Sequence, residues 1–417
     1  MDMQAMGSAA REAAFLLAQY STAEKNAVLL DIADALEAET PKILAANDLD
    51  LKAAEANGVD PIWIRDRIAL ERRMPGIIAD VRNVAKLDDP VGREFDNRTV
   101  EPGIDVKKLR VPLGVIGTIY ESRPNVTVDI STLALKTGNA VILRGGSDVL
   151  NSNLALVEVL QAVLQKHGLP EAVIQYIAST DRKYVGEMLK MHDYIDMIIP
   201  RGGNGLHNFC REHSTIPVII GGMGICHLYV DSSADLEKAL TVIHNAKTQR
   251  PAVCNALDTL LVDEKIATEF LPRIVESLGK DDVVFRAAPV ALDIVGDDER
   301  VNAAGADDFD TEWIALILGL KVVSGVDEAV DHIRQHSTFH SDGILTENTD
   351  QAMQFLNSVD SAAVYWNAST RFTDGSALGL GAEVAISTQK LHARGPMALE
   401  ELTTYKWVIT GDYTARP

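Results

Sequence analysis

From Val111 onward the chain repeats one pattern: a short apolar run, then a segment of helix length and helix period. The runs at 115–120, 140–143, 173–177, 195–199 and 218–220 are apolar throughout and of strand length. The stretches 148–167 and 202–213 between them carry helical spacing. Uninterrupted apolar runs suit strands covered on both faces, and such strands joined by helices build a parallel, doubly wound sheet. Ligands of such sheets are expected at the carboxyl ends of the strands. A second alternating series begins near Ile225 and predicts a second α/β lobe, with the active site in the cleft between the two.

The first hundred residues read differently. Ser21-Thr-Ala-Glu24 has the form of a capping box, opening a helix with Val28, Leu29, Ile32 and Leu36 on one face. Helical period continues over 43–57, where Gly58 is a natural stop. Asp88-Asp-Pro-Val-Gly92 breaks the pattern. The segment that follows, to Val111, alternates and turns at Pro102-Gly103, which reads as a small β arm able to pair with another subunit.

Charge narrows the possible partners. With 39 basic against 60 acidic residues the net charge is −21, so neither nucleic acid nor an anionic membrane is an expected partner. An anionic substrate would need a local basic pocket. The three cysteines, Cys210, Cys226 and Cys254, cannot all pair, and a reducing cytoplasm is the expected setting. The N-terminus has no targeting pattern, and no apolar stretch approaches the roughly 20 residues that span a bilayer.

Several segments carry chemistry. In Lys247-Thr-Gln-Arg-Pro-Ala-Val-Cys254-Asn255 one cysteine follows a cationic and polar cluster. Cationic neighbours favour a thiolate, so Cys254 reads as a nucleophile, or else as a packed thiol. No G-x-G-x-x-G follows a strand. Ile198-Ile-Pro-Arg-Gly-Gly-Asn-Gly205 does lead a strand into a glycine turn and a helix, suited to a phosphate or to a plain tight turn. Gly138-Asn-Ala-Val-Ile-Leu-Arg144-Gly-Gly146 places an arginine at a strand's carboxyl end. Arg144 there could fork onto a ribose 2′-phosphate, favouring NADP, or be a surface arginine that simply caps the strand. The histidines, including His207, His213 and His227, show no H-E-x-x-H, there is no C-x-x-C or G-x-S-x-G, and no metal is expected.

Seven segments together resemble the γ-glutamyl phosphate reductases, a branch of the aldehyde dehydrogenase superfamily. They are Val111-Pro-Leu-Gly-Val-Ile-Gly117, Tyr120-Glu-Ser-Arg-Pro-Asn-Val-Thr127, Lys136-Thr-Gly-Asn-Ala-Val-Ile-Leu-Arg-Gly-Gly146, Ile199-Pro-Arg-Gly-Gly203, Lys247-Thr-Gln-Arg-Pro251, Asn367-Ala-Ser-Thr-Arg-Phe-Thr-Asp-Gly375 and Gln389-Lys-Leu-His-Ala-Arg-Gly-Pro-Met397. The resemblance runs along essentially the whole chain. It implies an aldehyde-dehydrogenase-like α/β fold. A Rossmann-type cofactor domain would cover 1–222, with the β arm at about 93–111 serving oligomerisation. A catalytic domain holding Cys254 would cover 223–384, and residues 385–417 would return to the cofactor and oligomerisation region.

The resemblance also implies an activity. It is NADPH-dependent reduction of L-glutamate 5-phosphate to L-glutamate 5-semialdehyde, the second step of proline biosynthesis, with Cys254 as nucleophile and its N–H as an oxyanion donor. Hydrolytic relatives carry a general-base glutamate that corresponds, 34 positions ahead of Cys254, to Ile220 in Ile219-Ile220-Gly221-Gly222. Without that base a thioester is spared hydrolysis and left for phosphate and hydride. The superfamily's second oxyanion donor, an asparagine, aligns with Glu121, so Asn125 is the substitute candidate, or else a helix cap. Arg144 matches the contact to the adenosine ribose, Gly202 and Gly203 the pyrophosphate-facing turn, and Glu312 the nicotinamide-ribose acid, or a solvated carboxylate. Arg123, Arg250 and Arg371 are candidate binders of the substrate's phosphate and α-carboxylate, or ion-pair scaffolds. A homo-oligomer is implied. Two alternatives stay open: a CoA-dependent acylating aldehyde dehydrogenase, and a channelling subunit that partners glutamate 5-kinase.

Overall fold

A computed structural model describes residues 1–101 and 103–416. Of the expected Pro102-Gly103 turn, Pro102 lies outside the described residues, while Gly103 takes a left-handed φ of +91°. The chain forms two compact units. One comprises residues 1–220, Leu380–Ala385 and the chain from Met397 onward; the other comprises Gly221–Gly379 and Ile386–Pro396. The C-terminal segment, expected to travel as one piece from 385, is thus divided between them.

The first unit opens with helices at Met3–Leu17, Thr22–Ala38 and Thr40–Ala56. The capping box forms as read: Glu24 N–H donates to Ser21 Oγ at 3.3 Å and Ser21 N–H to Glu24 Oε2 at 2.7 Å. Val28, Leu29, Ile32, Ala33 and Leu36 make one wholly buried stripe, each large side chain contributing about 1.5–3 kcal/mol of transfer free energy. Gly58, at φ +70°, ends the third helix in a conformation that costs a side chain strain.

Its sheet has four parallel strands in the order β5-β4-β3-β6, with β3 at Val115–Tyr120, β4 at Ala140–Arg144, β5 at Ile174–Tyr176 and β6 at Met197–Arg201. β3 and β4 are buried at every position, as the unbroken apolar runs require. The run at 218–220 is not a strand. Val218 makes one parallel bridge with Ile198, because Pro217 has no N–H to give and Gly221-Gly222 follow at once.

The β arm is real and larger than read. β1 (Glu94–Val100) pairs antiparallel with β2 (Ile104–Pro112), and the strand Thr403–Thr410 pairs with the other side of β2 over its whole length. This third strand leaves Tyr405, Trp407 and Ile409 exposed.

The second unit holds a seven-stranded parallel sheet in the order β10-β9-β11-β8-β7-β12-β13. The strands are β7 Cys226–Val230, β8 Leu257–Asp263, β9 Val284–Ala287, β10 Val301–Ala303, β11 Ile317–Val323, β12 Ser341–Leu345 and β13 Ala363–Trp366. Leu228, Leu260, Phe285 and Leu320 from four strands pack with Phe270 and Ile274 of the helix Glu264–Leu278 in one core. Because all seven strands point the same way, the residues just ahead of them gather along one edge. Gly224, Cys254, Glu312 and His340 are such residues, ahead of β7, β8, β11 and β12. In this unit the candidate nucleophile therefore stands at the amino edge of the sheet, not at the carboxyl edge where parallel sheets usually bind ligands. A polar cavity of about 410 Å³ at the carboxyl edge, lined by Tyr229, Asp231, Asp263, Lys265 and Asn348, contains none of the predicted residues.

Candidate active site

Helix Leu236–Thr248 delivers the chain to the loop that carries Cys254 and then to β8. The loop is pinned at successive points. Lys247 Nζ, wholly buried, donates to Leu257 O at 2.8 Å. Asn255 Nδ2 donates to Thr373 O at 2.9 Å, and Thr370 Oγ1 donates to Asn255 O at 2.7 Å. The Cys226 thiol donates to Cys254 O at 3.2 Å. Gly224 completes the enclosure: a Cβ there would run into the Cys254 carbonyl and lie 3.2 Å from His340 Cγ. The carbonyls of 254 and 255 are both held, which fixes their peptide planes while the Cys254 residue stays partly exposed.

A chain of hydroxyls braces this loop from behind. Tyr365 OH, Thr373 Oγ1 and Ser341 Oγ are linked at 2.7 and 2.6 Å, and Ser341 Oγ meets His340 Nδ1 at 2.8 Å. Burial pulls His340 down to about 4, so its imidazole is neutral.

Charge gathers beside the cysteine. Arg371 donates from Nε to Gln249 Oε1 at 3.0 Å. Burial, and then repulsion from Arg250, hold the Arg371 guanidinium below its ordinary range, with Asp374 and Cys254 opposing. Two guanidinium groups near enough to repel are an arrangement that an anion relieves. Glu312 accepts from Gly224 N–H at 3.0 Å, and burial pushes its carboxyl up to about 7 against that hydrogen bond. Behind the loop, Asp258 is pushed by burial to about 6 despite Lys247 at 3.7 Å. Four of the predicted residues, Cys254, Arg250, Arg371 and Glu312, thus belong to one neighbourhood of the second unit.

The other five lie in the first unit. Gly202 and Gly203 form the turn between β6 and the helix Asn204–His213, and no side chain caps that helix. Gly203 N–H instead donates to Glu121 Oε2 at 3.0 Å, so an incoming phosphate must displace a carboxylate. Arg144, at the end of β4, is 9% exposed and not the surface arginine of the alternative reading. Its two terminal nitrogens donate to Gly145 O at 2.7 Å and Thr180 O at 3.2 Å, while Nε is buried without a partner. Asn125 is the first residue of helix Asn125–Lys136 and caps nothing. Its Nδ2 donates to Asp129 Oδ2 at 2.8 Å, and burial raises Asp129 to about 6. Arg123 sits half-buried in the turn before that helix, its carbonyl accepting from Val126 N–H at 3.0 Å.

Sequence reasoning missed Gly224, and it missed the contacts that Cys226 makes with Cys254 and Glu121 makes with Gly203. Glycine ahead of a buried strand signals close backbone approach, and Met223-Gly224-Ile225-Cys226 carries that signal. Nothing local pairs Cys226 with a residue 28 positions away. Among the described residues no group of three or more His, Cys, Asp or Glu side chains is placed to hold a metal ion, and no helix is long and apolar enough to cross a membrane.

A parallel α/β unit with a cysteine pinned on a loop ahead of a central strand defines an aldehyde-dehydrogenase-type oxidoreductase, and the aldehyde dehydrogenase family model matches residues 1–283. Within that class, a γ-glutamyl phosphate reductase of Psychromonas ingrahamii is 57% identical over all of both chains. The crystal structure of the Thermotoga maritima γ-glutamyl phosphate reductase superposes with a TM-score of 0.98 at 47% identity over the full length of each chain. An acetylating aldehyde dehydrogenase of Geobacillus thermoglucosidasius, 18% identical, shares the fold with a TM-score of 0.68 over 99% of this chain and 97% of that one. The chain belongs to the γ-glutamyl phosphate reductase family.

Proposed function

We propose that this protein reduces L-glutamate 5-phosphate to L-glutamate 5-semialdehyde and phosphate, using NADPH and a thioester on Cys254, as the second step of proline biosynthesis. The observation that carries the reading is the guanidinium pair, Arg250 and Arg371, beside a cysteine whose loop is pinned through two carbonyls. An acyl phosphate brings an anion that would offset the repulsion within such a pair. The names of the relatives, 57% and 47% identical, support the same substrate.

The Cys254 thiolate attacks the acyl carbon. The tetrahedral oxyanion is met by the Cys254 N–H, and phosphate departs with its electron pair toward the guanidinium groups, leaving the thioester. NADPH, which Arg144, Gly202, Gly203 and Glu312 would hold, would supply the hydride that reduces the thioester carbon. The resulting oxyanion collapses, expelling the Cys254 thiolate and releasing the aldehyde. Asn125 is the second donor on this reading, since its amide keeps one N–H beyond its bond to Asp129. Arg144, with a buried unpartnered Nε, suits a phosphorylated ribose, and Glu312 suits ribose hydroxyls. Gly202 and Gly203 suit a pyrophosphate once Glu121 swings aside. Arg123 is the third candidate for the substrate's anionic groups, phosphate or α-carboxylate.

The strand Thr403–Thr410, with Tyr405, Trp407 and Ile409 exposed at the sheet's edge, supports self-association through the arm. A reducing cytoplasm keeps Cys254 as a thiol. The test is NADP⁺ reduction with glutamate semialdehyde: activity that needs phosphate and is lost in Cys254→Ala supports the proposal. Activity that follows CoA, or that ignores phosphate, overturns it.

A further inference from the structure

We infer that Cys226 is a positioning residue, its thiol proton holding the Cys254 carbonyl so that the nucleophile's peptide plane keeps one orientation. The inference rests on Cys254 being the nucleophile. Cys226 opens β7 and is wholly buried, and its Sγ donates to Cys254 O at 3.2 Å. The contact depends on Gly224 two residues earlier, because only a residue without Cβ lets this carbonyl approach. Gly224 N–H is in turn tied to Glu312 at 3.0 Å, so the strand start that clasps the nucleophile is itself anchored.

Burial, helped by Asp258 and Asp342, pushes the Cys226 thiol well above its ordinary range. At neutral pH it therefore remains S–H, a donor and not a rival nucleophile. The carbonyl it holds lies one bond from the Cys254 Cα. With that plane held, ψ at Cys254 is what remains to set where the residue points, its thiol toward the acyl carbon and its N–H toward the oxyanion. The neighbouring Asn255 carbonyl has its own donor in Thr370.

The test compares Cys226→Ala, Cys226→Val and Cys226→Ser in the full-length protein, with two readouts. Steady-state kinetics separate kcat from KM. Alkylation of Cys254 by iodoacetamide as a function of pH, followed by peptide mass, reads the loop without any substrate. Loss of one modest hydrogen bond in the transition state should lower kcat about five- to tenfold in Ala and Val, with KM within about twofold. The alkylation rate should change about fivefold in the same variants, and Ser, which keeps a donor, should return both readouts to within about threefold of wild type. The inference is overturned if Val matches wild type in both readouts, or if Ser falls as far as Val. A shared loss of folding in all three would assign Cys226 to packing alone and equally overturn it. Activity surviving in Cys254→Ala would sink the thioester reading separately, because the alkylation series still reports on the clasp.

Discussion

Replacing Gly224 by alanine is the sharpest perturbation available at this site. Gly224 is not held at a left-handed φ, so alanine brings no backbone strain of its own. The added methyl is directed at the carbonyl oxygen of Cys254, a main-chain atom that cannot rotate away, with His340 Cγ at 3.2 Å closing the other side. To regain ordinary contact the loop must move by roughly 1 Å or more, a displacement able to cost about 10²-fold in kcat. Overpacking should cost about 1–3 kcal/mol of stability as well. Gly76, with no atom within 4 Å of its would-be Cβ and φ outside the left-handed region, is the comparison; Gly76→Ala in helix Met74–Lys86 should gain about 0.5–1 kcal/mol and leave kcat alone. Phosphate-dependent NADP⁺ reduction and denaturant melts measure both quantities. A Gly224→Ala protein with kcat within threefold of wild type and unchanged stability would refute the account of the enclosed carbonyl.

Three further outcomes follow from the charges. Arg371→Ala should raise KM for phosphate, in the direction of aldehyde oxidation, by roughly 10- to 100-fold, the worth of a charge-assisted hydrogen bond, while KM for NADP⁺ moves little; an unchanged phosphate KM removes Arg371 from the anion site. Burial holds Glu312 at about 7, so it is mostly protonated at pH 6 and ionised at pH 8. A carboxylate accepts ribose hydroxyls better than an acid does, so NADPH Kd by fluorescence titration should tighten as pH rises through about 7 and flatten in Glu312→Gln. Lys247→Met strands the buried Asp258 carboxylate and should cost about 3–5 kcal/mol at pH 8. Since burial has already raised Asp258 to about 6, protonation offsets the loss on descending from pH 8 toward 5; a deficit independent of pH contradicts that assignment.

Much of this protein was legible locally. The Ser21–Glu24 box, the stop at Gly58 and the buried strands β3 and β4 each depend on residues within a few positions of one another. That Cys254 stands beside cationic residues was legible too, because Lys247 and Arg250 are near it in sequence. The run at 218–220 misled because apolar content does not reveal that a proline and a glycine pair deny it a ladder. The third strand of the arm, Thr403–Thr410, pairs with residues some 300 positions earlier, and no local pattern announces such a partner. Glu121 on Gly203 and Cys226 on Cys254 are of the same kind: the parallel sheets bring the ends of separate strands to one edge, and only the folded chain shows which ends meet. The place of Arg144 at a strand end was legible, but its engagement with Gly145 and Thr180 carbonyls is a property of the packing.

The central claim is a thioester on Cys254, and a single-turnover experiment addresses it without the labile acyl phosphate. Glutamate semialdehyde is mixed with NADP⁺ in the absence of phosphate, and both NADPH formation and protein mass are followed. The account predicts a burst of about one NADPH per subunit, a γ-glutamyl adduct on the Cys254 peptide, and release of that adduct when phosphate is added. Steady turnover without phosphate, or the same burst from Cys254→Ala, would contradict it.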